Sequence, residues 1–291
     1  MTALIQARGL SKLYGIKPAL QDCSFAVQPG RIVGLIGRNG AGKTTLLKAL
    51  LGLTPFAGEL SVLGMNPANQ RDALMRDVAF IADTAVLPRW LRARQALDYC
   101  AAMHPRFERA VAERFLAGTQ VPLNAKVATL SKGMVTQLHL ALVLAIRAPL
   151  LVLDEPTLGL DLLSRRAFYD TLLNDYMDGE RTILVTTHQV EEIEHVLTDL
   201  LFIEQGRIVL DAPVDVLGER FVQLQVAAQH LQAARALQPF HERVVFGRTV
   251  MLFDGVPQAL LAPLGDTGRP SVADLFVAQI QPQAAATASA A

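Results

Sequence analysis

A short run near the N-terminus constrains this chain more than any other part of it. Gly37-Arg38-Asn39-Gly40-Ala41-Gly42-Lys43-Thr44-Thr45 fits the pattern G-x-x-x-x-G-K-[ST]. Arg31 to Ile36 before it is rich in β-branched and apolar residues and predicts a strand, and Thr44 to Leu51 after it predicts a helix. Glycines let a backbone wrap so that its N–H groups point inward at a polyphosphate. The helix N-terminus adds the positive end of a dipole. Lys43 would reach the outer phosphates, and Thr44 would ligate Mg²⁺. A Gly-rich turn without a ligand is the bland alternative, and the flanking strand and helix weigh against it.

A second run, Leu150-Leu151-Val152-Leu153-Asp154-Glu155, predicts a buried strand that ends on two carboxylates. Open α/β sheets bind ligands at the C-terminal ends of their strands. Asp154 would hold Mg²⁺, through water, and Glu155 would polarise an attacking water as a general base. An Asp-Glu pair after a strand is common by itself. Downstream of a phosphate loop it gains weight.

Strands and helices alternate along much of the chain, which implies parallel strands in an α/β core. Leu4 to Tyr14 and Ala19 to Val27 predict two strands closed by Pro29-Gly30. Leu87 to Ile146 is mostly helical in pattern. Leu162 to Tyr176 and Val190 to Leu197 predict helices, with a strand at Thr182 to Thr186 between them. Gln205-Gly206 predicts a hairpin turn between Leu200–Ile203 and Arg207–Leu210. A second unit begins near Pro213. Its predicted strands are Val222–Val226, Val244–Val245 and Thr249–Phe253, and its predicted helices are Leu231–Leu237 and Ser271–Ile280. Gln281 to Ala291 is Ala-rich and polar, the composition of a disordered tail.

Composition narrows the partners. The 291 residues are 51% hydrophobic and 19% charged, so the chain should fold. Lys plus Arg equals Asp plus Glu, 27 against 27. That balance argues against a nucleic-acid partner, though a local basic patch would survive it. Cys23 and Cys100 form no CxxC or Cys/His cluster, and predict buried thiols in a reducing compartment rather than a zinc site. Met1 to Arg8 lacks the features of a signal peptide. The longest apolar run, Leu138 to Leu153, is broken by His139, Arg147 and Pro149. A bilayer crossing needs about 20 apolar residues, so work at a membrane would need a spanning partner.

With these motifs in this order, the chain resembles the ATP-binding subunits of ABC transporters from Leu4 to Leu210, with an echo at Pro270 to Ile280. The resemblance implies an α/β fold: a P-loop ATPase core with an N-terminal β lobe and a helical lobe at about 87–146, plus a small C-terminal α+β extension. The divisions expected are 1–212, 213–280 and a tail at 281–291. ATP and Mg²⁺ are the implied ligands. Tyr14 falls where an aromatic stacks on adenine, and His188 falls at the switch histidine. Leu130-Ser131-Lys132-Gly133-Met134 falls at the LSGGQ signature, and Gly159-Leu160-Asp161 at the D-loop. In this family the signature serves the nucleotide held by the opposite subunit, so Ser131, Gly133 and Asp161 are implied contacts to a second copy or a homologous ATPase subunit. Ser131 itself is predicted to cap a helix from Lys132 to Ile146.

The chain departs from the pattern twice. Lys132 replaces a glycine and Met134 a glutamine in the signature, while Asp83 stands at the Q-loop position, where the family has Gln or Glu; Asp can bind Mg²⁺ but is one methylene shorter than Glu. The short chain, LSKGM and Pro270-Ser271-Val272-Ala273-Asp274-Leu275-Phe276 resemble the ATPases of ABC-2-type bacterial exporters. The implied protein is peripheral, on the cytoplasmic side of the cell membrane, and bound to an integral membrane permease. A soluble ATPase of the same family acting on ribosomes or nucleic acid is the alternative. A regulatory protein that binds ATP and barely hydrolyses it is another, against which Glu155 and His188 both stand.

Overall fold

The computed structural model describes residues 3–82, 87–158, 160–173, 180–187 and 190–280. The first half runs β1 (Ile5–Tyr14), β2 (Lys17–Val27), β3 (Ile32–Ile36), α1 (Lys43–Leu50), β4 (Ala57–Val62), α2 (Arg71–Leu74), β5 (Val78–Ile81), α3 (Ala93–Met103), α4 (Arg109–Ala117) and α5 (Lys132–Leu144). It continues β6 (Leu150–Asp154), α6 (Leu162–Thr171), β7 (Thr182–Thr187), β8 (Asp199–Glu204) and β9 (Arg207–Pro213). The remainder is α7 (Val214–Arg220), β10 (Phe221–Val226), α8 (Leu231–Ala236), β11 (His241–Val245), β12 (Arg248–Asp254), α9 (Gln258–Leu261), β13 (Gly265–Gly268) and α10 (Val272–Ile280).

Six strands form the central sheet in the order β5-β6-β7-β3-β8-β9. All neighbours are parallel except β8 and β9. That last pair is the hairpin expected at Gln205-Gly206, whose φ values of 49° and 77° suit a turn of type I′. The apolar runs of β3, β6 and β7 are explained by burial on both faces. Alternate residues feed two cores. Ile32, Ile36, Leu151, Leu153, Ile183 and Val185 face one core, shared with α6 and α10. Val33, Leu35, Leu150, Val152 and Leu184 face the other, shared with α1 and the N-terminal strands.

The N-terminal strands make an antiparallel sheet, β2-β1-β4. α3, α4 and α5 pack on one another around Leu97, Ala112, Leu116, Leu138 and Ala141. A four-stranded antiparallel sheet, β11-β12-β10-β13, closes the chain over Leu224, Met251, Phe253 and Leu261. The helix after it returns to the central sheet. Val272 and Leu275 of α10 join the core that holds Phe202, and the rings of Phe202 and Phe276 meet edge-on at 5.3 Å. Glu194 Oε1 accepts the Val272 N–H at 3.0 Å, and Arg243 of β11 pairs with Asp274 at 2.7 Å.

One expected helix is corrected. Val190 to Leu197 forms two 3₁₀ turns, Val190–Glu192 and Glu194–Val196, rather than an α-helix. Within the two turns the buried residues are Val190, Ile193 and Val196, a spacing of three that matches a 3₁₀ repeat, and Leu197 directly after them is buried too. The three at that spacing are β-branched, which weakens the α-helical alternative. Glu192 is also held by Arg165 of α6. The helix expected over Leu162 to Tyr176 is α6 in its first part; residues 174–179 lie outside the described residues, as does the tail at 281–291.

Candidate functional site

The central sheet brings the two sequence motifs together. β6, β7 and β3 are adjacent, and their C-terminal ends lie in register: Ile36 opposite Thr187, and Asp154 opposite Thr186. The segments after β3 and β6 therefore emerge at one edge, which open α/β sheets use for ligands. Between them lies a cleft of about 340 Å³ lined by Arg38, Asn39, Gly40, Gly42, Lys43, Thr44, Thr45, Asp154 and Glu155, with Tyr14, Lys17 and Ala19 at its mouth.

Glycine is required in the loop for two different reasons. Gly40 and Gly42 have φ of +83° and +118°, values side chains disfavour. A Cβ on Gly37 would come within 2.5 Å of Ile203 O, and one on Gly42 within 2.8 Å of Ala19 O. The loop is thus pressed against β8 and β2. The Gly206 N–H of the β8–β9 turn holds it further, donating to Ala41 O at 2.8 Å. α1 starts at Lys43 directly after Gly42, so its free N–H groups face the cleft.

The charged groups converge. Lys43 is buried to 7% exposure, donates to Gly37 O at 2.7 Å, and lies 3.7 Å from Glu155 Oε1. Thr44 Oγ1 donates to Asp154 Oδ2 at 3.2 Å. Thr186 Oγ1 donates to Asp154 Oδ1 at 2.6 Å. Glu155 has φ of +48°, a left-handed backbone that a non-glycine residue adopts under constraint. A cation, a helix N-terminus and two carboxylates around one cleft can hold a polyphosphate and act on a nucleophile beside it. The hydroxyl of Thr44 and the carboxylate of Asp154 are hard oxygen donors side by side, which suits Mg²⁺.

The other expected site residues are elsewhere. Tyr14 is half exposed at the cleft mouth, with the Lys12 ammonium 5.0 Å from its ring centre. Ser131 is the N-cap of α5, its Oγ accepting the Met134 N–H at 3.2 Å. Asp161 is the N-cap of α6. Neither they nor Gly133 line the cleft. The body of α5 is linked to the α6 cap, because Gln137 donates to Ser164 Oγ at 3.3 Å and Ser164 donates to Asp161 at 2.9 Å. Around Asp161 the surface is apolar: Leu162 and Leu163 are 74% and 80% exposed. Asp83, Gly159 and His188 lie outside the described residues.

Asp161 carries a pH-dependent expectation. The Ser164 backbone N–H, then the Ser164 hydroxyl, hold its carboxyl below the usual carboxylate range. A depressed value stabilises the fold above the unfolded pKa, and the effect fades as pH falls through the folded value. The melting temperature of Asp161→Ala should therefore lie below wild type at neutral pH, with the gap narrowing below about pH 4. A gap independent of pH would show that the cap does not depend on charge.

Lys17, Ala19 and Thr186 were not anticipated. Lys17 pairs with Tyr14 across the turn at Gly15, so the hairpin itself was the available signal. Thr186 offered none, since it reads as one more strand residue.

Comparison with known proteins decides the family. The model of the family described as "ABC transporter" matches residues 20–158. The "Nod factor export ATP-binding protein I" of Burkholderia pseudomallei is 36% identical over 279 residues, covering 91% of each chain. The chain belongs to the ABC transporter family. Another ABC relative, "ABC transporter ATP-binding protein YtrB" of Bacillus subtilis, is 28% identical over 226 residues, 77% of each chain. A solved "ATP binding subunit of ABC transporter" superposes with a TM-score of 0.67 at 29% identity, covering 74% of this chain and 91% of that one. This ABC protein is an ATPase with the mixed α/β cassette fold of its relatives. No helix among its described residues is long and apolar enough to cross a membrane.

Proposed function

We propose that this ATPase subunit powers an exporter, by closing on ATP as a dimer against a separate membrane-spanning permease. The observation that carries the reading is the convergence of Lys43, Thr44, Asp154 and Glu155 in one cleft. Within it, the N–H groups of Gly37 to Thr45 and the Lys43 ammonium hold the phosphates. Tyr14 stacks on the base. Thr44 and Asp154 would hold Mg²⁺, which would supply positive charge beside the phosphates. Glu155 accepts the proton of the attacking water, and His188 is assigned the switch role. Asp83 is assigned a part in holding the metal and coupling to the permease.

Ser131 and Gly133 at the start of α5, and Asp161 at the start of α6, face the nucleotide of a second ATPase subunit. The exposed Leu162 and Leu163 beside Asp161 support that placing, since a partner subunit would cover them. Export, rather than import, is supported by the resemblance to relatives named as Nod factor export proteins. The protein then sits peripherally on the cytoplasmic face of the membrane. Residues 1–212 act as the ATPase unit and 213–280 as an appended domain whose last helix packs back on the first.

Two measurements test this. Sedimentation of the full chain should give a monomer without nucleotide, and a dimer with ATP once hydrolysis is blocked by Glu155→Gln. Equal masses in both states would sink the clamp. The tagged chain purified from membranes should bring down an integral membrane protein that stimulates its ATPase rate. Recovery with ribosomes or nucleic acid alone would favour a soluble ATPase instead.

A further inference from the structure

Thr186 lies in β7, fully buried, opposite Asp154. A threonine hydroxyl has one proton to donate and lone pairs with which to accept. Both capacities are used on neighbouring residues. The Glu155 N–H donates to Thr186 Oγ1 at 3.0 Å, and the hydroxyl proton goes to Asp154 Oδ1 at 2.6 Å. The direction is forced, because a backbone N–H can only donate. One oxygen atom therefore holds both acidic residues at the end of β6.

Two consequences follow for the cleft. Asp154 is gripped at each oxygen, by Thr186 on Oδ1 and Thr44 on Oδ2, so its carboxylate plane is fixed. Glu155 is kept in its left-handed conformation by its N–H, which also meets Thr186 O at 3.2 Å. Thr186 does not line the cleft, so any effect on the reaction would pass through Asp154 and Glu155.

We propose that Thr186 is a positioning residue for hydrolysis: its hydroxyl turns Asp154 toward the metal side of the cleft and fixes the backbone from which Glu155 reaches the attacking water. The inference rests on the roles given above to Asp154 and Glu155. A hydroxyl that merely satisfies a buried strand would affect melting temperature and not the balance between binding and turnover.

Thr186→Val keeps the shape, and the backbone carbonyl bond to Glu155 survives. Phosphate release, melting temperature and binding of a fluorescent non-hydrolysable ATP analogue, with and without Mg²⁺, are measured on the full chain. Turnover should fall about 10–100-fold, the usual effect of removing a group that orients a metal ligand. Analogue affinity without Mg²⁺ should hold, while the gain in affinity on adding Mg²⁺ shrinks. Thr186→Ser should restore most of both losses. A Thr186→Val protein with wild-type turnover and a full Mg²⁺ gain overturns the proposal, as does Thr186→Ser failing as badly as Thr186→Val. If Thr186→Val does not fold, Thr186→Ala against Thr186→Ser is judged by the same split. Glu155→Gln is run alongside. If it still turns over, the base assignment falls and the proposal falls with it. If it is inactive beside an unimpaired Thr186→Val, the proposal alone falls.

Discussion

Glu155→Gln should cut ATP turnover by roughly 10²–10⁴-fold, the usual worth of a general base, while ATP still binds. The amide has nearly the shape of the carboxylate but does not take up a proton at neutral pH. Its place at the end of β6 is set by the backbone bonds to Thr186, which the change leaves intact. Binding is expected to survive because the phosphate loop and Lys43 are untouched. Glu155 Oε1 lies 3.7 Å from Lys43 Nζ, so removing its charge frees the ammonium for phosphate rather than weakening it. The variant should therefore accumulate with ATP bound. Single-turnover phosphate release beside equilibrium nucleotide binding checks both halves. Near-normal release would take the base role away from Glu155.

Lys43→Ala should also be severe, for a different reason. It removes a cation buried to 7% exposure at the N-terminus of α1, where phosphate charge is expected to gather. Loss of one pre-positioned donor to a charged transition state costs on the order of 10²–10³ in rate. ATP affinity should fall as well, because the same ammonium acts on the bound ground state. This separates it from Glu155→Gln, where rate falls and binding stays. The melting temperature must be followed in parallel, since Gly37 O loses the donor now 2.7 Å away. Unchanged affinity and rate in a folded variant would end the phosphate-loop assignment.

What the sequence revealed of this site, it revealed through local backbone geometry. Gly40, Gly42, Lys43 and Thr44 act within one turn of each other, so their spacing carries the message. Apolar runs such as Leu150 to Leu153 report burial on both faces, and hence the parallel sheet. Thr186 was invisible because its value comes from register: only pairing β6 with β7 sets it opposite Asp154. Val190 to Leu197 was expected as a helix and forms two 3₁₀ turns, whose buried β-branched residues recur every three positions. β13 was missed because Gly265-Asp266-Thr267-Gly268 has almost none of the residues that favour strands. It pairs only because β10 presents an edge. The Tyr14–Lys17 turn lay in between, since a hairpin was expected there and its part in the cleft was not.

The return of α10 to the central sheet bears on how the chain is made. A ribosome delivers β8, with Phe202, long before it delivers Val272, Leu275 and Phe276. Glu194 likewise receives its N–H partner from 78 residues downstream. Until that late segment emerges, apolar surface on one side of the ATPase core has no cover, however complete the strands behind it. Such long-range closure is slow relative to local helix and hairpin formation. The nascent protein thus passes through a stage in which its sheet is assembled and its surface is still sticky, the stage at which chaperones and aggregation compete for a chain. Loss of α10 would extend that stage indefinitely, making premature termination near residue 270 a defect of biogenesis before it is a defect of catalysis.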